Sequence, residues 1–89
     1  MVRTWWRERQ VLRARARDLT DEFGGLNVEG VGFLVRAHGR QSMELLVWPE
    51  GGFDNFVVPV GSSQTLEDAS EDLREIVARY AVGQRPPFG

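Results

Sequence analysis

The sequence predicts an α+β domain of order α-β-β-β-α, in which a three-stranded antiparallel sheet carries two helices on one face. Two segments with helical apolar spacing flank a central region of alternating apolar residues. Glycine-rich and asparagine-containing turns divide that central region into three strands. The 89 residues suit one domain, which we assign to residues 1–83, with a flexible tail at residues 84–89.

The first helix is predicted over residues 4–23, with Thr4 as its N-cap and Gly24 and Gly25 as its stop. At about 100° per residue, one stripe faces the core. Its members are Trp5, Leu12, Ala16, Leu19 and Phe23. Trp6 lies beside Trp5 and cannot share its face, so it is either a flanking cover or an exposed anchor.

Three strands are predicted over residues 26–37, 43–49 and 56–60, joined by turns at 38–41 and 50–55. The apolar alternation of the first strand changes phase near Gly30 and Gly32, which predicts a bulge or bend there. The second helix begins after Thr65, its N-cap, and ends at Gly83. Because three antiparallel strands separate the two helices, these should run roughly parallel.

Composition excludes several classes of protein. Without cysteine there is no disulfide framework and no thiolate metal site. The apolar runs are far shorter than the roughly 18 residues of a membrane helix. A signal peptide has an apolar segment after its basic start, and no such segment follows the basic residues here. We therefore expect a cytoplasmic protein without membrane contact. The net charge of −2 is unlike that of a typical nucleic-acid-binding domain.

Charge is unevenly distributed along the chain. Residues 1–17 carry six arginines and one glutamate, whereas residues 62–83 carry five acidic residues and two arginines. All eleven basic residues are arginine, which indicates a GC-rich bacterial or phage genome, or else selection for bidentate contacts.

The first helix is charged against its own dipole, with arginines in its N-terminal half and acidic residues near its end. Three explanations stay open: a solvated face, pairing with the acidic start of the second helix, or a docking surface. Arg13 and Arg17 share one side of the helix, and Arg15 points elsewhere. We predict a partner-binding flank, called here the α1 flank, formed by Trp6, Arg9, Arg13 and Arg17. It would bind a protein or, as an alternative, nucleic acid.

A second candidate surface lies on the sheet. Both faces of the second strand are apolar, although an antiparallel sheet with one solvated face should alternate more cleanly. If the helices cover one face, four apolar residues lie on the other. These are Leu34, Leu46, Trp48 and Val57. Monomers rarely expose such a patch, so we predict an interface there with a second copy or another partner.

Evidence for catalysis is poor. His38 is the only histidine and lies in a predicted turn, and no cysteine or second histidine can complete a nucleophilic arrangement. Ser62 and Ser63 precede a helix, where such residues normally cap. A helix start can bind an anion, but here the carboxylates of Glu67 and Asp68 would repel one. We expect no enzymatic activity, no cofactor and no metal.

Residues 48–77, "WPEGGFDNFVVPVGSSQTLEDASEDLREIV", resemble the core of HicB-type antitoxins. Six residues loosely follow that family's helix start, with a wider spacing from glycine to threonine: Gly61, Thr65, Leu66, Glu67, Asp68 and Ala69. The family's Pro-Asp-Leu-Pro-Gly segment is missing. The resemblance implies a non-enzymatic protein that binds and blocks a partner. The element order also looks like that of double-stranded-RNA-binding domains, whose second helix begins with basic residues; here that start is acidic.

The leading hypothesis is therefore a small interaction protein, homodimeric, of antitoxin, immunity or phage-inhibitor type. The alternative is a nucleic-acid-binding accessory protein that uses the arginines of the first helix. A third hypothesis is an enzyme subunit that depends on a partner for its chemistry.

Overall fold

A computed structural model describes residues 2–61 and 63–83, with side chains from Arg7 onward. The elements are α1 (Val2–Gly24), β1 (Gly32–His38), β2 (Ser42–Trp48), β3 (Asp54–Pro59) and α2 (Leu66–Ala81). The strands form one antiparallel sheet of order β1-β2-β3. The predicted α-β-β-β-α fold is confirmed. The predicted tail at residues 84–89 lies outside the described residues.

The first strand is shorter than predicted. Residues 26–31 form turns, in which Asn27 and Gly30 have φ angles of 52° and 76°. An extended chain cannot pass through two such residues, so the strand starts only at Gly32. From there the register continues without a bulge to the pairing of His38 with Ser42. The change of apolar phase near Gly30 thus marks the start of β1. Of the predicted bulge or bend, the bulge is wrong, and the chain bends instead at the turn that contains Gly30.

Two other element starts also differ from prediction. Helix α1 begins at Val2, so Thr4 lies inside the helix and is not its N-cap. Strand β3 begins at Asp54 rather than at residue 56. Asp54 pairs with Val47 of β2, and its carboxylate accepts a hydrogen bond from the hydroxyl of Tyr80. These two contacts extend the strand into the predicted turn.

The core lies between the helices and one face of the sheet. The predicted stripe of α1 is buried from Leu12 to Phe23, whereas the side chain of Trp5 lies outside the described residues. Helix α2 is capped as predicted, because Thr65 accepts a hydrogen bond from the amide of Asp68 at 3.1 Å. The buried apolar residues that make up this core are Leu12, Ala16, Leu19, Phe23, Val35, Met43, Leu45, Val47, Phe56, Val58, Ala69, Leu73, Val77 and Tyr80.

A side chain of helix α1, that of Thr20, reaches the middle of the outer edge of β1. The hydroxyl of Thr20 accepts a hydrogen bond from the amide of Val35 at 2.8 Å, and its single proton faces two carbonyls, that of Ala16 at 2.8 Å and that of Val35 at 3.1 Å. The main-chain groups of Val35 therefore point away from β2. Since backbone groups alternate along antiparallel strands, Leu34 and Arg36 bond to β2. One side chain thus protects a part of the sheet edge that would otherwise stay unpaired.

Candidate functional site

The face of the sheet opposite the helices, called here the open face, carries all four predicted interface residues. Leu34 pairs with Leu46 across β1 and β2, and Val57 pairs with Glu44 across β2 and β3. The exposed fractions are 38% for Leu34, 45% for Trp48 and 46% for Val57. Leu46, at the centre of the three strands, is 7% exposed. The structure shows their shared location, and their role in binding stays a prediction.

Phe53 extends this apolar surface and was missed by the sequence reasoning, which placed it in a turn. Its side chain is 52% exposed, and its ring centroid lies 5.5 Å from that of Trp48. The available signal was an aromatic residue between glycines and polar residues in a predicted turn. Trp48 and Phe53 together form an aromatic pair at the end of the open face where the β2–β3 turn lies.

A polar cluster occupies the other part of the open face. The Glu44 carboxylate is buried and accepts hydrogen bonds from Arg36 at 2.8 Å and from Asn55 at 3.0 Å. His38 Nδ1 lies 3.7 Å from the same carboxylate. The four residues come from all three strands, so the cluster connects the sheet across its width.

The charge state of Glu44 follows from these contacts. Burial raises the pKa of its carboxyl, but the hydrogen bonds from Arg36 and Asn55 and the charges of Arg36 and His38 together outweigh burial and lower the pKa. Glu44 is therefore ionised at neutral pH.

The α1 flank lies beside β1 along a shallow groove of about 460 Å³. Arg9, Arg13, Arg17 and Arg36 all line this groove. Arg9 donates a hydrogen bond to the carbonyl of Gly39 at 2.8 Å. Arg13 and Arg17 are exposed and make no hydrogen bond or ion pair within the described part of the chain. The side chain of Trp6, the fourth predicted residue of this flank, lies outside the described residues.

Arg15 contacts α2 instead. Its guanidinium donates to Glu67 at 2.6 Å and to the buried hydroxyl of Ser70 at 3.0 Å. Seven residues further along both helices, Arg74 donates to Glu22 at 2.8 and 3.1 Å. The helices are therefore parallel, as expected from the element order.

These contacts partly compensate the charges of α1 that are placed against its dipole. The hydrogen bond from Arg15 lowers the pKa of Glu67, and the hydrogen bond from Arg74 lowers the pKa of Glu22. Arg74 also bonds Glu71 at 2.6 Å, and these carboxylates raise its own pKa. Pairing with α2 thus compensates the dipole of α1 through Arg15 and Glu22, and it leaves Arg13 and Arg17 available.

A second groove, of about 440 Å³, lies between the N-terminal half of α1 and the start of α2. Val11 and Leu66 contribute apolar surface to it, and Arg7, Glu8 and Arg40 contribute charge. Among the described residues, no three histidine, cysteine, aspartate or glutamate side chains come together in a way that could hold a metal ion. Neither helix, over its described residues, combines the length and apolar character that a bilayer crossing requires.

Comparisons with protein-family models, with curated proteins and with solved structures found no match to this chain. The similarity of residues 48–77 to the HicB-type core therefore stays a prediction.

Proposed function

We propose that this protein is a non-enzymatic protein-binding module of antitoxin, immunity or phage-inhibitor type. It blocks a partner protein by covering part of it with the open face of its sheet. The observation that carries the proposal is the exposed apolar surface formed by Leu34, Trp48, Phe53 and Val57 on that face. Large exposed apolar surfaces mark interaction sites, because monomers rarely leave them uncovered.

The composition of the open face supports this function. Tryptophan and arginine are enriched among the residues that dominate binding energy, and here Trp48 and Arg36 lie on the same face. Apart from Phe53, the side chains project from paired strands, so little conformational entropy is lost when a partner binds. Arg36 and Glu44 supply a charged part next to the apolar one, as interfaces with an apolar centre and a polar rim do.

A pair of variants with matched exposure tests the proposal. Val57→Arg places a charge on the open face, and Val11→Arg places the same charge on α1 at a side chain of similar exposure, 48% against 46%. Tagged versions of the wild type and both variants are used to capture proteins from an extract of the source cells. A polypeptide bound by the wild type and Val11→Arg but lost with Val57→Arg supports the proposal. If no captured polypeptide depends on residue 57, the open face is not the binding surface.

Nucleic acid is a second candidate ligand, favoured by one observation. Arg13 and Arg17 lack partners within the described chain and line one groove with Arg9 and Arg36. Phosphate contacts make affinity fall steeply with salt. Fluorescence anisotropy with a labelled single-stranded RNA and a DNA duplex at low salt tests this function. Binding that weakens in Arg13→Gln/Arg17→Gln supports it, and absence of binding at low salt excludes it.

A further inference from the structure

We propose that two copies of this chain pair along the outer edge of β3 and so join their sheets into one sheet of six strands. The contact uses main-chain groups at the edge of the sheet, whereas the open face presents side chains, although Asn55 and Val57 contribute to both. The inference therefore does not depend on which partner the open face binds.

The two edges of the sheet differ. In β1, the hydroxyl of Thr20 accepts a hydrogen bond from the amide of Val35 and lies 3.1 Å from its carbonyl. Val35 pairs with Leu45 of β2, and Leu45 pairs with Phe56 of β3. Because the main-chain groups of Val35 point away from β2, those of Leu45 and Phe56 point toward each other. The amides and carbonyls of Asn55 and Val57, on either side of Phe56, therefore point away from β2. None of these four groups makes a hydrogen bond within the described chain. Pro59 lacks an amide donor, and its carbonyl accepts a hydrogen bond from Gln64 at 3.0 Å. The available edge is thus limited to Asn55–Val57.

This short edge is complementary to itself. A two-fold axis at Phe56 places Asn55 opposite Val57 of the partner subunit, with the two strands antiparallel. In an antiparallel pair of this type, opposed residues exchange both of their main-chain hydrogen bonds. The two symmetric pairs therefore form four hydrogen bonds. Pro59 lies outside this paired region, where its missing donor does not matter.

The outer flank of α2 supplies complementary charge. Asp72, Ile76 and Arg79 lie on the side of α2 away from α1, about half a turn from Glu67 and Arg74. Neither Asp72 nor Arg79 has an ion-pair partner among the described residues. In the paired arrangement, the two α2 helices become antiparallel neighbours under the joined sheets.

The position of the axis determines which charges meet. Helix α2 starts beyond the end of β3, and Tyr80 near its other end donates to Asp54 at the start of the strand. An axis through Phe56 therefore passes near the middle of α2. Asp72 and Arg79 lie on opposite sides of that point, so Asp72 faces Arg79 of the partner subunit. Ile76 lies between them, close to the axis.

The same geometry makes the contact between the two copies a closed one. A two-fold contact uses the β3 edge of both copies, so a third copy cannot join at that edge. At each end of the joined sheet, Thr20 occupies the middle of the β1 edge. Pairing also joins two open faces into one surface, with Asn55 and Val57 of both copies at its centre.

Sedimentation equilibrium over a range of concentrations tests the inference on the full chain, whose monomer mass is 10.1 kDa. We expect the wild type to reach twice this mass. Val57→Pro removes an outward amide and leaves the β2–β3 hydrogen bonds intact, so it should raise the dimer dissociation constant at least tenfold. Val57→Thr keeps that amide and should not. A wild type that stays monomeric at every concentration would overturn the inference.

Charge reversal provides a test that does not depend on the fold of the proline variant. Asp72→Arg and Arg79→Asp should each weaken the dimer, and the double variant should restore it, because the exchanged charges meet across the axis. Hydrogen exchange should slow at the amides of Asn55 and Val57 as the dimer forms. A dimer in which these two amides still exchange rapidly would overturn this contact and would leave the proposed role of the open face intact.

Discussion

Arg15 of α1 bonds Glu67 of α2 at 2.6 Å and, through the same guanidinium, reaches the buried hydroxyl of Ser70. Its neighbours Arg13 and Arg17, two residues away on each side, have no partner within the described chain. The alternating arginines of α1 thus divide into one that connects the helices and two that face outward.

We therefore expect Arg15→Gln to lower the free energy of unfolding, because it removes the charged contact between the helices. Arg13→Gln is the matched control, and its stability should equal that of the wild type. Urea unfolding followed by circular dichroism measures both. Equal midpoints for Arg15→Gln and the wild type would show that the contact adds nothing to stability.

Thr20 provides a second prediction, on the protected edge of β1. Thr20→Val keeps the shape of the side chain but leaves the amide of Val35 without its partner. The cost of such an unpaired group is about 1–3 kcal/mol. Thr20→Ser retains the hydroxyl and should lose much less. Thermal and urea unfolding of the two variants distinguish the hydroxyl from the methyl group, and equal losses would contradict the edge-protecting role.

The third prediction concerns acid stability through Glu44. Its pKa is lowered in the folded chain, so ionised Glu44 stabilises the fold above the ordinary glutamate pKa of about 4.3. That contribution is lost as the pH falls through the lowered value, because the unfolded chain then binds the proton more tightly.

Glu44→Gln should therefore be less sensitive to acid than the wild type, and the difference between their unfolding free energies should shrink as pH falls below about 4.3. Glu22 and Glu67 also have lowered pKa values and remain in both proteins. Their contributions cancel in the difference between the two unfolding free energies, so that difference measures the contribution of Glu44. Urea unfolding at a series of pH values between neutral and acid supplies it. A difference that does not change with pH would show that Glu44 has the same pKa in the folded and unfolded chain.

The sequence predicts those features that depend on periodicity. The helical stripe from Leu12 to Phe23 and the period of two in the strands place the core and the open face correctly. The change of apolar phase near Gly30 marks the late start of β1, but spacing alone does not distinguish a bulge within a strand from a turn before it. The positive φ angles of Asn27 and Gly30 show that a turn precedes the strand.

Contacts between elements were harder to predict than the elements. Spacing shows that Arg15 and Arg13 lie on different sides of α1, but it does not say which side meets α2. The burial of Glu44 likewise depends on strand register, which brings Arg36 and Asn55 to it from both neighbouring strands.

The most direct test of the proposed function measures the affinity of the captured partner for two variants of this chain. Trp48→Ala removes the largest exposed side chain of the open face, whereas Arg13→Gln/Arg17→Gln changes only the α1 flank. Loss of an aromatic residue central to binding costs about 2 kcal/mol or more, which corresponds to a roughly 30-fold weaker dissociation constant. We predict that loss for Trp48→Ala and wild-type affinity for the arginine variant. Unchanged binding by Trp48→Ala, or loss confined to the arginine variant, would contradict the proposal.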